Sequence, residues 1–188
     1  LEESLSIAQS AADPYMINTS RLYLAQALQA GGDLTAARDL LQTSINSYTL
    51  SDDLVGAERA SLYMGYLEVT AGNPEAARAF FMAILQTENR EHNHKYVLGA
   101  IVGLADLLAR SGDVETALIW VTAVLQQPGL DWETDQIATL LWSNLETCLS
   151  ADQIAAVRSQ AAPLSYAALQ DIVLQRLAGQ AALKPADS

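Results

Sequence analysis

The stretch Gly32-Asp33-Leu34-Thr35-Ala36-Ala37-Arg38 returns as Gly72-Asn73-Pro74-Glu75-Ala76-Ala77-Arg78 and again as Gly112-Asp113-Val114-Glu115-Thr116-Ala117-Leu118. The spacing is 40 residues both times. A fixed period of that size marks stacked copies of one supersecondary unit, each too small to bury its apolar face alone. Each copy reads as the turn between two helices. Glycine takes the left-handed conformation that closes one helix without a Cβ clash. Asp33, Asn73 and Asp113 then cap the next helix, their side-chain oxygens accepting from unpaired backbone N–H groups, an interaction worth about 1 kcal/mol each. Pro74 falls at the first helical position, where its missing N–H costs nothing. Ala37, Ala77 and Ala117 form one column, and a small residue recurring there points to close approach of two helix backbones.

Outward from these turns the chain divides into a second-helix stub at 1–13, repeats at 14–50, 51–90 and 91–130, a degenerate fourth repeat at 131–163, a C-terminal helix at 164–180 and a disordered tail at 181–188. Leu24, Ala25 and Leu28 follow helical spacing before the first turn, and Leu40, Leu41 and Ile45 follow it after. Ser51-Asp52-Asp53 reads as a cap for the first helix of the second repeat, and the polar run 88–95 as an outer turn. The fourth pair has Ser150-Ala151-Asp152 in place of the Gly-Asp signature. Degeneration at an end is expected of a capping repeat, whose outer face meets water. Leu169, Ile172, Val173 and Leu177 make an apolar stripe on the last helix. The fold class expected is all-α, a right-handed α-solenoid of antiparallel helix pairs with a C-terminal capping helix.

At 188 residues, 51% of them apolar, the chain is long enough to bury a substantial core. It begins at Leu1 rather than Met, and its first residues resemble the end of a second helix whose partner is missing, as in a fragment of a larger protein. No stretch approaches the roughly 20 unbroken apolar residues of a membrane span. Cys148 is the single cysteine, and with Leu145 and Leu149 as neighbours it reads as a buried thiol in a reducing, cytoplasmic compartment. A net charge of −12 argues against a nucleic-acid surface, which needs clustered Lys and Arg. The charge is uneven: residues 101–150 carry seven acids, Asp106, Asp113, Glu115, Asp131, Glu133, Asp135 and Glu146, against Arg110 alone. If an acidic surface is used, it lies there, although a solvated face that keeps the array soluble is the favoured reading of such a run.

The residues resemble the tetratricopeptide repeat family. Met64-Gly65, Gly72-Asn73, Ala77 and Phe81 match its pattern best. Leu24-Ala25, Gly32-Asp33, Ala37 and Leu41 match it next, as do Leu104-Ala105, Gly112-Asp113, Ala117 and Val121. The resemblance covers 15–162, with two departures: Arg21, Ser61 and Ile101 stand where the family has a large aromatic, and the period exceeds its usual 34 by six residues. Longer repeats of this kind are similar to the regulatory arrays of bacterial signal-transduction ATPases and of transcriptional activators of the maltose-activator and LuxR-type classes.

The resemblance implies a ligand groove on the first helices. Carried over by register, it would be lined by Leu22 and Gln26, then Arg59, Leu62 and Tyr66, then Val102, Asp106 and Arg110. Tyr66 is the candidate aromatic anchor for a bound segment. The competing reading, which is favoured, has Leu22, Leu62 and Val102 packing between neighbouring first helices. His92 and His94, with Glu88 and Glu91 nearby, fall short of the three or four rigid ligands of a zinc site, so no metal or other cofactor is expected. No nucleophile motif is present, and no catalytic residue is assigned. Trp120 shares a large-apolar column with Leu40 and Phe80 and belongs to the core, whereas Trp132 and Trp142 are candidates for exposure. The function expected is a non-catalytic protein-interaction or scaffold module whose partner is a protein or peptide segment, basic if the acidic run is used. The alternatives are an effector-sensing regulatory array and self-association through the terminal helices.

Overall fold

The computed structural model describes residues 13–87 and 94–182, with residues 3, 6 and 7. From residue 13 on, every regular element among them is an α-helix: α1 (Pro14–Ala30), α2 (Leu34–Leu50), α3 (Leu54–Thr70), α4 (Pro74–Gln86), α5 (His94–Arg110), α6 (Val114–Leu125), α7 (Trp132–Glu146), α8 (Ala151–Ala161) and α9 (Tyr166–Ala182). The expected all-α architecture of helix pairs is therefore present. The stub at 1–13, most of the polar run 88–95 with His92, and the tail at 181–188 fall wholly or largely outside the described residues; His94 and Lys95, read as the end of that outer turn, belong to α5 instead.

The first six helices begin at Pro14, Leu34, Leu54, Pro74, His94 and Val114, a step of 20 residues each time. The 40-residue period of the sequence thus contains helices that start every 20 residues, and the turn between the first two repeats is built like the turns within repeats. After α1, the Asp33 N–H donates to the Leu28 carbonyl and the Gly32 N–H to that of Gln29. The same pair of bonds joins Asp53 to Tyr48 and Asp52 to Thr49, Asn73 to Glu68 and Gly72 to Val69, and Asp113 to Leu108 and Gly112 to Ala109. This is the Schellman closure, which needs one left-handed residue. Gly32, Gly72 and Gly112 supply it with φ of 87°, 77° and 100°. Between the first and second repeats the same position is held by Asp52 at φ 58°. A non-glycine residue held there is strained by its Cβ, Asp less than most. Asp52→Gly is therefore expected to stabilise the chain by about 0.5–1 kcal/mol, measured by urea denaturation. A loss of stability would mean that the Asp52 side chain has a role beyond the turn.

Asp33, Asp53, Asp113 and Asp131 cap α2, α3, α6 and α7, accepting from the N–H groups of Ala36, Gly56, Thr116 and Thr134. Ser150 and Gln153 form a reciprocal capping box on α8. Asn73 departs from its expected role, since its side chain makes no cap bond. Instead its Nδ2 donates to Glu68 Oε2 at 2.7 Å. The reason is charge: Glu68 is a buried carboxylate at the end of α3, and a hydrogen bond to an ionised oxygen is stronger than a neutral cap. Arg38 from α2 holds the same carboxylate with two bonds, Nε to Oε1 at 2.7 Å and Nη2 to Oε2 at 3.1 Å.

The helices form two compact units, Leu1–Tyr96 and Val97–Ser188. In the first, α1 packs on α2, α2 on α3, α3 on α4, and α1 also touches α3. Leu22, Ala25, Ala37, Leu41, Tyr48, Ala60, Tyr63, Met64 and Leu67 make one apolar cluster. Ala77 and Phe81 are fully buried on α4. Gly65 is required by close approach, because a Cβ there would overlap the Phe81 ring. In the second unit α6 is central, packed against α7, α8 and α9. Ala117, Leu118, Trp120, Val121, Ala123 and Val124 leave it almost no solvent face. Trp142 Nε1 donates to Thr122 Oγ1 at 3.1 Å, and Arg176 of α9 pairs with Asp113 at 2.8 Å. Cys148 corrects its sequence reading: the thiol is exposed. The helix ends at Glu146, and the turn that follows breaks the periodicity that placed Cys148 with Leu145. Among the described residues no helix is long and apolar enough to cross a membrane.

Candidate functional site

Helices α1 and α3 are the first helices of two successive repeats, and they meet along one face of the first unit. Arg59 of α3 lies on that face, its Cζ 5.4 Å from the ring centre of Tyr23 on α1 and 5.7 Å from that of Tyr63. Arg59 and Tyr63 are four residues apart on one helix, a spacing that stacks side chains. Tyr23 comes from the neighbouring repeat. The stack grades from a buried ring, Tyr63 at 6% exposure, through the half-buried arginine to an exposed ring, Tyr23 at 45%. Each cation–π contact is worth about 0.5–1 kcal/mol where exposed and about 2 kcal/mol where desolvated. Burial disfavours the Arg59 charge, but hydrogen bonds to the hydroxyls of Tyr63 and Tyr23 outweigh it and raise the pKa further, so the guanidinium stays charged.

One turn on from Tyr63, the half-buried Tyr66 meets Phe81 edge-on, ring centres 5.4 Å apart at 64°. Gln29 of α1 donates from Nε2 to Thr70 Oγ1 at 2.8 Å and to the Tyr66 carbonyl at 3.5 Å, latching α1 to α3. The face therefore has an aromatic and cationic centre and a polar latch at one end. It offers stacking surface and hydrogen-bond donors. Among the described residues no three His, Cys, Asp or Glu side chains are grouped to hold a metal ion. Burial pushes the His94 imidazole below its ordinary range.

The eight groove candidates separate into three groups. Leu22 and Val102 are fully buried and Leu62 nearly so. Buried in this way, the three are packing positions rather than exposed lining of a groove. Gln26, Arg59 and Tyr66 are half-buried and belong to the first unit. Asp106 and Arg110 lie on α5 in the second unit, joined by an i,i+4 ion pair at 3.0 Å. Three residues of the face were not legible as such in the sequence: Tyr23, Tyr63 and Gln29. The Arg59–Tyr63 spacing was a usable signal. Tyr23 and Gln29 join the face only through the pairing of α1 with α3, which no local pattern encodes.

Comparison of the chain with protein-family models, with curated proteins and with solved structures gives no match.

Proposed function

We propose that the chain is a non-catalytic protein-interaction and scaffold module of tetratricopeptide-like build. The α1–α3 face of its first unit receives a segment of a protein partner. The observation that carries this reading is the Tyr23–Arg59–Tyr63 stack. Tyrosine and arginine are the residue types enriched where binding energy concentrates, and here the exposed Tyr23 and half-buried Arg59 are held against the buried Tyr63, so less side-chain entropy remains to be lost on binding. A guanidinium carries five N–H donors. Two tyrosine hydroxyls do not exhaust them, which leaves donors for the main-chain carbonyls of a segment laid along the face. Tyr23 supplies stacking surface beside it, and Tyr66, the anchor anticipated from the sequence, lies one turn further along α3.

The test is selection of a phage-displayed peptide library on the full chain, followed by affinity measurement on Tyr23→Ala and Arg59→Ala. The expected result is enriched peptides whose affinity falls about tenfold or more in each variant while the helical circular dichroism is unchanged. Failure to enrich any peptide, or peptides that bind both variants as tightly as the parent chain, would end this reading.

A further inference from the structure

We propose that the outer face of α7, in the second unit, docks a lysine- and arginine-rich amphipathic helix of another protein. Thr134, Ala138 and Leu145 of α7 are buried, and Thr122 of α6 takes the Trp142 hydrogen bond, so these residues define the inner side of the helix. Trp132, Gln136, Leu140 and Ser143 recur at spacings of four, four and three on the opposite side and are exposed. Trp132 is 76% and Leu140 65% exposed, both large apolar side chains standing in water. At a rise of about 1.5 Å per residue they are about 12 Å apart, two turns of helix. Trp132, Gln136 and Leu140 thus form one i+4 ridge, of the kind that a partner helix receives in the groove between its own ridges.

Charge decides the occupant. Glu133, Asp135 and Glu146 border the stripe. Between Arg110 and Arg158 the chain carries seven acids and no Lys, Arg or His. Of the nearest bases around that run, Arg110 is paired with Asp106 at 3.0 Å, Arg158 is engaged over the Trp142 ring at 5.5 Å and Arg176 with Asp113. An exposed tryptophan and leucine edged by acids complement a helix with an apolar stripe and basic flanks. A second copy of this chain, carrying −12 itself, would meet like charge. The site shares no residue with the α1–α3 face, so it stands or falls separately from that proposal.

The experiment uses the full chain and three labelled 18-residue synthetic peptides, read by fluorescence anisotropy. One is a Leu-striped helix with Lys and Arg flanks, the second has the same composition scrambled so that no stripe forms, and the third has Glu in place of every base. The striped basic peptide is expected to bind, more weakly as salt rises, and to lose about tenfold or more in affinity on Trp132→Ala/Leu140→Ser. Both side chains are exposed, so the variant keeps its fold, checked by circular dichroism. Equal binding of the scrambled peptide, or unchanged affinity in the double variant, would reduce the effect to diffuse charge attraction and overturn the proposal. So would a parent chain that sediments as a dimer and a double variant that sediments as a monomer, since the face would then belong to a second copy.

Discussion

Phe81→Ala is expected to destabilise the first unit by about 3–5 kcal/mol, the range for emptying a fully buried aromatic site. Phe81 is 0% exposed, forms the wall behind Tyr66 and fills the space above Gly65. The same contact predicts a coupling. Gly65→Ala in the parent chain forces a methyl group into the Phe81 ring and is expected to cost about 1–3 kcal/mol. In the Phe81→Ala background the overlap is gone, and alanine's better helix propensity, worth about 1 kcal/mol over glycine, turns the change favourable. Urea denaturation of the four proteins closes this double-mutant cycle. A Gly65→Ala cost that is the same in both backgrounds would show that ring contact is not what holds glycine at this position.

The second large effect belongs to the carboxylate that binds α2 to the end of α3. Arg38→Met leaves Glu68, 7% exposed, with Asn73 as its remaining partner. Breaking a fully buried pair costs about 3–5 kcal/mol. Because the Arg38 side chain is 37% exposed and partly screened by water, about 2 kcal/mol is expected at pH 7. The loss depends on pH in a definite sense. In the unfolded chain Glu68 titrates near its ordinary value of 4.5; in the folded chain the hydrogen bonds from Arg38 hold it lower, against the opposing effect of burial. The stabilisation is therefore complete above the unfolded value and is lost as pH falls through it toward the folded one. The parent and Arg38→Met chains should differ most at pH 6–7 and converge only as pH falls through the lowered folded value of Glu68. Removing both partners, as Arg38→Met/Glu68→Met, should recover most of the stability at pH 7. A difference that does not change between pH 7 and the folded value of Glu68 would rule out the ion pair as its source.

The sequence was informative wherever the determining interaction is local. The turns at Gly32, Gly72 and Gly112 are legible because the left-handed residue, and at Asp33 and Asp113 the cap, lie within six residues of chain, and hydrogen bonds across so short a span follow from residue type. Trp120 was placed in the core through its column with Leu40 and Phe80; those two are only partly buried, and Trp120 is buried because its own helix is apolar nearly all round. The 20-residue step within the 40-residue period was not legible. Its intermediate turn uses Asp52, a residue with no strong claim on a left-handed conformation, and only the backbone reveals that it does the work of glycine. Cys148 failed for a related reason: helical periodicity was extended one turn past the end of α7, where the backbone has already left the helix.

The all-α class, the helix pairing and the small-residue column at Ala37, Ala77 and Ala117 were determined by sequence alone, through periodicity, turn chemistry and side-chain size. Tertiary structure decided which of the first-helix residues face solvent. Leu22 and Tyr23 are adjacent in the chain, yet one is fully buried and the other 45% exposed over the guanidinium of Arg59. It also decided that Asn73 abandons its cap for Glu68, and that Trp132 stands exposed while Trp142 turns inward to Thr122. Each of these depends on where a second helix lies, and the position of that helix is set by the summed packing of many side chains rather than by any residue close to it in the sequence.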